Sequence, residues 1–209
     1  MYVIVDYEDV TGTETDLISL DDLKLALGIT DNTQDEELAA DIDRYSKLVT
    51  EYFGRRFAFG YAIETFRYDP LEQSRPAAAL TLSLYPVSEV TAIVLNNSPL
   101  TEDAYTIDPV KGFVRLADGG KWSGVVEVIY AGGYDLPDDA PAYLSAAIIE
   151  SIRLQQMADD RGDTTVSSVV HGETRVSYFQ SGDAAAKSGS GLASSVVDLL
   201  RPFRRPTVV

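Results

Sequence analysis

The sequence predicts an α+β fold: a helical core of three main helices, an inserted small, mainly antiparallel β unit, and an extended C-terminal tail. Three observations carry this. Apolar residues recur at helical spacing over residues 34–53 and 139–158. Between those stretches, residues 61–131 change to short alternating runs punctuated by Pro, Asn and Gly. Residues 181–195 are Gly, Ala and Ser with one Asp, one Lys and one Leu, the composition of a flexible linker, and an apolar–basic end follows.

Residues 1–18 are rich in Thr, Asp and Glu and read as an irregular N-terminal arm. A first helix is expected over residues 20–27. Ser19 is a suitable N-cap, Asp21 and Asp22 suit the positive end of the helix dipole, and Gly28 is a stop. In the second helix, Thr33 and Glu36 have the spacing of a capping box. Leu38, Ile42, Tyr45, Val49 and Tyr52 form its apolar stripe, and Gly54 ends it. Five or six short strands follow, with β-type runs near 61–68, 80–84, 89–95, 104–107, 112–116 and 125–130. The third helix begins near Pro141, tolerated in a first turn, and carries Leu144, Ile148 and Ile152 in one row. A hairpin is expected over 165–179, around His171, Gly172 and Glu173. After the linker, Ser194 or Ser195 caps a short helix that Pro202 halts. The connected domain is thus 19–180, the linker 181–195 and the tail 196–209.

Composition narrows the function. The 209 residues include 33 Asp plus Glu against 17 Lys plus Arg, a formal charge of −16. A surface this acidic repels nucleic acid rather than gripping it. Residues 1–54 hold 14 acids and 3 bases, a net of −11, whereas 199–209 hold three arginines and no acid. There is no Cys and one His, which excludes disulfides, thiolate nucleophiles, Cys-ligated zinc and multi-His metal sites. The acidic start argues against a signal peptide. No apolar run approaches the ~20 residues that span a bilayer.

Catalytic motifs are missing. The chain has no G-x-S-x-G, no P-loop, no G-x-G-x-x-G and no H-E-x-x-H. No cofactor is implied. Glu37 and Asp41, four apart on a helix, could share a cation, but a solvated face is the simpler reading. Asp159, Asp160 and Asp163 read as a polar helix end, with a divalent ion as the alternative. His171 reads as an ordinary turn residue. Trp122, between two strand candidates, either anchors the edge of the sheet or makes a subunit contact. The tail has two readings. It folds back on its own core, or the linker delivers it to another protein. In the second case Val196, Val197, Leu199, Leu200 and Phe203 are anchors, and Arg201, Arg204 and Arg205 pair carboxylates on the partner.

The ordered elements resemble a family. Leu-Ile-Ser-Leu-Asp-Asp-Leu-Lys (17–24) precedes Leu-Gly-Ile-Thr-Asp (27–31) and a capped acidic helix ending Glu-Tyr-Phe-Gly-Arg-Arg-Phe (51–57). Then come Leu-Tyr-Pro-Val-Ser-Glu-Val-Thr-Ala-Ile (84–93), Val-Glu-Val-Ile-Tyr-Ala-Gly-Gly-Tyr (126–134) and Leu-Pro-Asp-Asp-Ala-Pro (136–141). This set is similar to the head–tail connector, or adaptor, proteins of tailed bacteriophages, prophages and gene transfer agents, over about residues 17–160. The resemblance implies a structural virion protein and not an enzyme. It implies a homo-oligomeric ring, roughly twelve-fold, beneath the portal protein at the head–tail interface, assembled in the cytoplasm of a bacterial host. Its partners would be the portal, a tail-side stopper or terminator protein, and further copies of itself, with no membrane. DNA would pass through the bore without sequence-specific binding. The C-terminal residues 196–205 would reach the portal. The helix-two face of Glu37, Asp41, Arg44, Lys47 and Glu51 would line the channel or meet a neighbouring subunit. Two alternatives are a tail-side completion or stopper protein and a carboxylate- and metal-dependent enzyme. An assembly chaperone is a third.

Overall fold

The computed structural model describes residues 2–8, 15–68, 76–159, 168–171, 174–177 and 191–204. The chain divides into two compact units. One comprises residues 1–14 and 55–136 and is built of strands; the other comprises 15–54 and 137–209 and is mainly helical.

In the helical unit, α1 spans Leu20–Leu27. Ser19 caps it by accepting the Asp22 N–H at 3.1 Å, which satisfies one of the free donors of the first turn. Helix α2 spans Asp35–Phe53 and turns Leu38, Ile42, Ser46 and Val49 inward. Its capping box does not form. Gln34 occupies the N-cap without a side-chain cap bond, and Thr33 donates its hydroxyl to the Asp31 carboxylate instead. An Asp two residues earlier competes for Thr33 and wins, because the Asx turn also takes the Thr33 N–H at 2.9 Å. Gly54 ends the helix at φ +62°, a left-handed conformation that most side chains resist.

Helix α3 spans Ala142–Asp159 and buries Leu144, Ala147, Ile148 and Ile152. Leu17, fully buried, is held from both sides: its N–H goes to Ser46 Oγ at 3.1 Å, and its carbonyl accepts from Ser145 Oγ at 3.0 Å. Helix α4 spans Ser194–Leu200 and packs on α3. A 3-10 turn, Arg201–Phe203, follows. The described part of the C-terminal segment is therefore a fourth helix docked on its own unit, not an extended tail. The expected linker lies outside the described residues over 181–190.

The β unit is larger than the small insert expected. Eight strands form two antiparallel sheets. The first sheet has five strands in the order β1 (Tyr2–Glu8), β2 (Gly60–Arg67), β8 (Val125–Gly132), β4 (Val87–Leu95) and β5 (Ser98–Pro99). The second has three, in the order β3 (Leu80–Thr81), β7 (Phe113–Leu116) and β6 (Tyr105–Asp108). Two strands account for the difference. β1 lies in the stretch expected to be an irregular arm, and pairs with β2 from Tyr2 opposite Arg67 to Glu8 opposite Tyr61. β5 is a two-residue ladder made by the Asn96-Asn97 turn, both residues at positive φ, as a tight hairpin requires.

The unit is filled by Phe66, Leu80, Leu82, Leu84, Ile93, Val114, Val126, Val128 and Tyr130. Trp122 is among them at 0% exposure, with its indole N–H donated to the Val114 carbonyl at 3.1 Å. Gly132 sits where β8 meets the 84–87 bend; a Cβ there would lie 2.6 Å from the Pro86 carbonyl oxygen. We expect Gly132→Ala to lower the melting temperature by several degrees in a thermal scan, since backbone, not a flexible side chain, would have to move.

A buried carboxylate completes this core. Glu64, at 0% exposure, accepts the Ser83 N–H at 2.6 Å and the Tyr130 hydroxyl. Tyr130 in turn accepts the Leu84 N–H at 2.9 Å. The chain leaves the β3 ladder after Thr81, so the N–H groups of Ser83 and Leu84 need acceptors from side chains. Burial pushes the Glu64 pKa up, against the opposing effect of its hydrogen bonds. Its second oxygen has no hydrogen-bond partner.

A final pair of strands, β9 (Ser168–His171) and β10 (Thr174–Ser177), forms a separate two-stranded antiparallel sheet. His171 ends β9 opposite Thr174.

Candidate docking surfaces

The C-terminal segment has two sides because seven helical residues make only two turns. Leu192, Val196 and Leu200 are spaced at i, i+4 and i+8 and are fully buried against the helical unit. Val197 is half-buried, Leu199 is 39% exposed and Phe203 48% exposed. Arg201 and Arg204 are exposed. Of the eight residues expected to dock, the structure thus turns Val196 and Leu200 inward and leaves Leu199, Arg201, Phe203 and Arg204 at the surface. Arg205 lies outside the described residues.

The exposed side joins an aromatic group of which the sequence pattern names Tyr52, as part of the α2 stripe, but not its partners. The Phe203 ring stacks on Tyr143 at 4.0 Å between centroids and 4° between planes. Tyr143 also meets Phe53 at 6.1 Å, and Phe53 meets Tyr52 edge-on at 5.4 Å. The Arg204 guanidinium lies 5.2 Å from the Tyr52 ring centroid, within cation–π range. Arg201 reaches Asp198 at 3.5 Å, a solvent-exposed pair that contributes little. The local signals for it are the adjacent aromatics closing α2 and Tyr143, two residues after Pro141. Stacked aromatics with a cation at the rim are suited to contacting a protein that presents carboxylates and apolar side chains.

The opposite end of the α2–α3 pair is acidic. A groove of about 330 Å³ is lined by Glu37, Leu38, Asp41, Gln155, Gln156 and Asp159 among others. The Asp41 pKa is raised by burial, opposed by the Arg44 charge and reinforced by Glu37 and Asp159. Arg44 pairs with Asp41 at 2.9 Å and bonds the Gln155 side chain, whose carbonyl also accepts the Tyr45 hydroxyl at 3.0 Å. Lys47 pairs with Asp43 at 2.7 Å, and Glu37, Lys47 and Glu51 are exposed. The structure thus brings Glu37, Asp41 and Arg44 to one place and leaves Lys47 and Glu51 further along the helix. Asp160 and Asp163 lie outside the described residues. Among the described residues, no three acids or histidines are close enough to hold a metal ion, and no helix is long and apolar enough to cross a membrane.

Trp122 belongs to neither surface. Its full enclosure in the β unit leaves no indole area for a subunit contact, so its role in this chain is to fill the core.

No protein-family model matches the chain, and no curated protein sequence matches it. Solved structures do. A chain in the neck of an empty gene transfer agent particle, determined with C6 symmetry, has the same fold with a TM-score of 0.55. The match covers 99% of this chain and 97% of that one, at 14% identity. A chain in the virion of a native gene transfer agent particle matches over the same shares, with a TM-score of 0.53 and 15% identity. The class defined at this level is an α+β fold shared, over nearly its full length, with a particle neck chain.

Proposed function

We propose that this chain is a structural protein of the head–tail neck of a phage-like particle. In this reading it is an adaptor that forms a ring beneath the portal and lets DNA pass through its bore. The near-full-length match to a chain in a gene transfer agent neck is the observation that carries the reading. Two properties support it. The net charge of −16 keeps DNA sliding rather than bound. The surface around Phe203, Tyr143 and Arg204 is of the kind that takes a protein partner and not a small substrate.

The portal-facing surface in this proposal is Leu199, Arg201, Phe203 and Arg204, continued by Arg205. Val196 and Leu200 act by holding α4 in place. Ring formation needs head-to-tail contacts between copies. The acidic end of α2 faces either the channel or a neighbouring copy. A tail-side stopper is the alternative, and the partner bound distinguishes the two.

The test is co-sedimentation of the purified protein with portal-bearing, tailless capsids and, in parallel, with tails. Stoichiometric binding to capsids supports the adaptor reading; binding only to tails overturns it in favour of the stopper. Arg201, Arg204 and Arg205 changed together to Glu should weaken capsid binding, and more at low salt than at high salt. An equal loss at both salt concentrations would remove the electrostatic part of the proposal.

A further inference from the structure

The two ends of the five-stranded sheet are treated differently. At one end, β5 is only two residues long and contains Pro99, which cannot donate to a further strand. At the other, β1 is seven residues long and pairs on one side only, with β2. Among the described residues, no strand lies on its outer side. Alternate residues of β1 therefore present N–H and C=O groups with no strand to receive them. Val3 and Ile4 are 38% and 44% exposed, and Asp6 is exposed too. A Val-Ile-Val run at a free edge has the character of a template for another strand.

The chain also contains an element with the converse need. Among the described residues, β9 and β10 pair only with each other, four residues to a strand. An isolated two-stranded hairpin is marginal in water; a third strand is the usual way such a hairpin is stabilised. Arg175 in β10 offers an opposite charge to the acids of β1, Asp6 and Glu8.

We propose that β10 of one copy adds to the outer edge of β1 of the next copy, antiparallel, with Arg175 opposite Asp6, Val176 opposite Val5 and Ser177 opposite Ile4. The contact uses different surfaces on the two copies. It therefore propagates head-to-tail, as a ring requires, whereas β1 pairing with a second β1 would stop at two. The proposal rests on the ring reading above and names the contact that builds the ring.

The absence of cysteine makes the test clean, because any introduced thiol is the only one in its chain. Val5→Cys and Val176→Cys are made as separate proteins, both conservative in size, with folding checked by circular dichroism. They are mixed, assembled on portal-bearing capsids, oxidised and run on a non-reducing gel. The expected result is a covalent dimer from the mixture and none from either protein alone. A dimer from Val5→Cys alone would overturn the proposal in favour of β1–β1 pairing. So would a chain carrying both substitutions that closes on itself at high dilution. No cross-link in particles that do carry the ring overturns the contact and leaves the adaptor reading standing; no ring at all removes both. As a second readout, Asp6→Arg or Arg175→Asp alone should weaken self-association several-fold, and the two together should restore it.

Discussion

Glu64→Leu is expected to lower the stability of the β unit by about 2–4 kcal/mol, because it leaves the Ser83 N–H and the Tyr130 hydroxyl buried without their acceptor. Urea unfolding followed by tryptophan fluorescence measures this well, since Trp122 lies in the same core. Glu64→Gln keeps an acceptor oxygen for both donors and should behave in the opposite way at neutral pH. The sign follows from linkage. The folded-state pKa of Glu64 is raised, so between the unfolded value near 4.5 and the folded value the native state binds the extra proton. The contribution of Glu64 to stability therefore falls as pH rises through that window and is constant above it. The Gln variant lacks this fall, so its stability relative to the unsubstituted protein should grow with pH from about 4.5 upward. A difference that does not change with pH would mean that burial does not raise the Glu64 pKa.

The second large effect is expected at α4. Deleting residues 192–209 is the obvious way to ask whether the C-terminal segment docks to a partner, and the sequence alone suggests that the truncated protein stays folded. The structure gives the opposite expectation. Leu192, Val196 and Leu200 are each fully buried, and their loss exposes the face of α3 that they cover. Leu200→Ala alone should cost about 2–5 kcal/mol, and the deletion more. Thermal unfolding should show this as a fall in the helical signal at lower temperature. Docking is better tested by Leu199→Ser and Phe203→Ala, which change the exposed side. Phe203→Ala loses the Tyr143 stack, about 0.5–1.5 kcal/mol beyond its area, and leaves the three buried anchors in place. If Leu200→Ala melted with the unsubstituted protein, α4 would not be part of the unit's core.

Legibility in the sequence followed the range of the interactions. Helix α1 is readable because Ser19, Asp22 and Gly28 lie within ten residues of one another. The Thr33–Glu36 capping pattern misleads because Asp31, equally local, is a better partner for Thr33. The strand β1 is hidden by the Thr, Asp and Glu that follow it over residues 6–16, although Tyr-Val-Ile-Val (2–5) has strand character. Only its partner, 53 to 65 residues away in sequence, settles its conformation. In the sequence, Glu64 is one polar residue within the 61–68 strand run. Nothing near it in sequence announces that Ser83 and Leu84 would leave their ladder and need it.

The candidate surface divides in the same way. Apolar and basic residues after residue 195 are visible in the sequence. The direction each one faces is not, because a seven-residue amphipathic helix reads alike whether its stripe meets its own chain or another. The aromatic partners Tyr52 and Tyr143 stand 151 and 60 residues before Phe203, so no local pattern joins them.

The order in which the two units appear along the chain has a consequence for how the protein is made. The β unit takes residues 1–14, yields to the helical unit over 15–54, and resumes at 55. During synthesis β1 therefore emerges first and must wait for β2, with α1 and α2 translated in between. Those helices in turn wait for α3 until residue 142. Neither unit is complete as a nascent segment, and both close across long loops, the slow and non-local kind of folding. While it waits, β1 is an unpaired strand for which the β2 of a neighbouring nascent chain competes with its own. The discontinuous order of the units therefore favours strand exchange between chains, and slower translation should increase it.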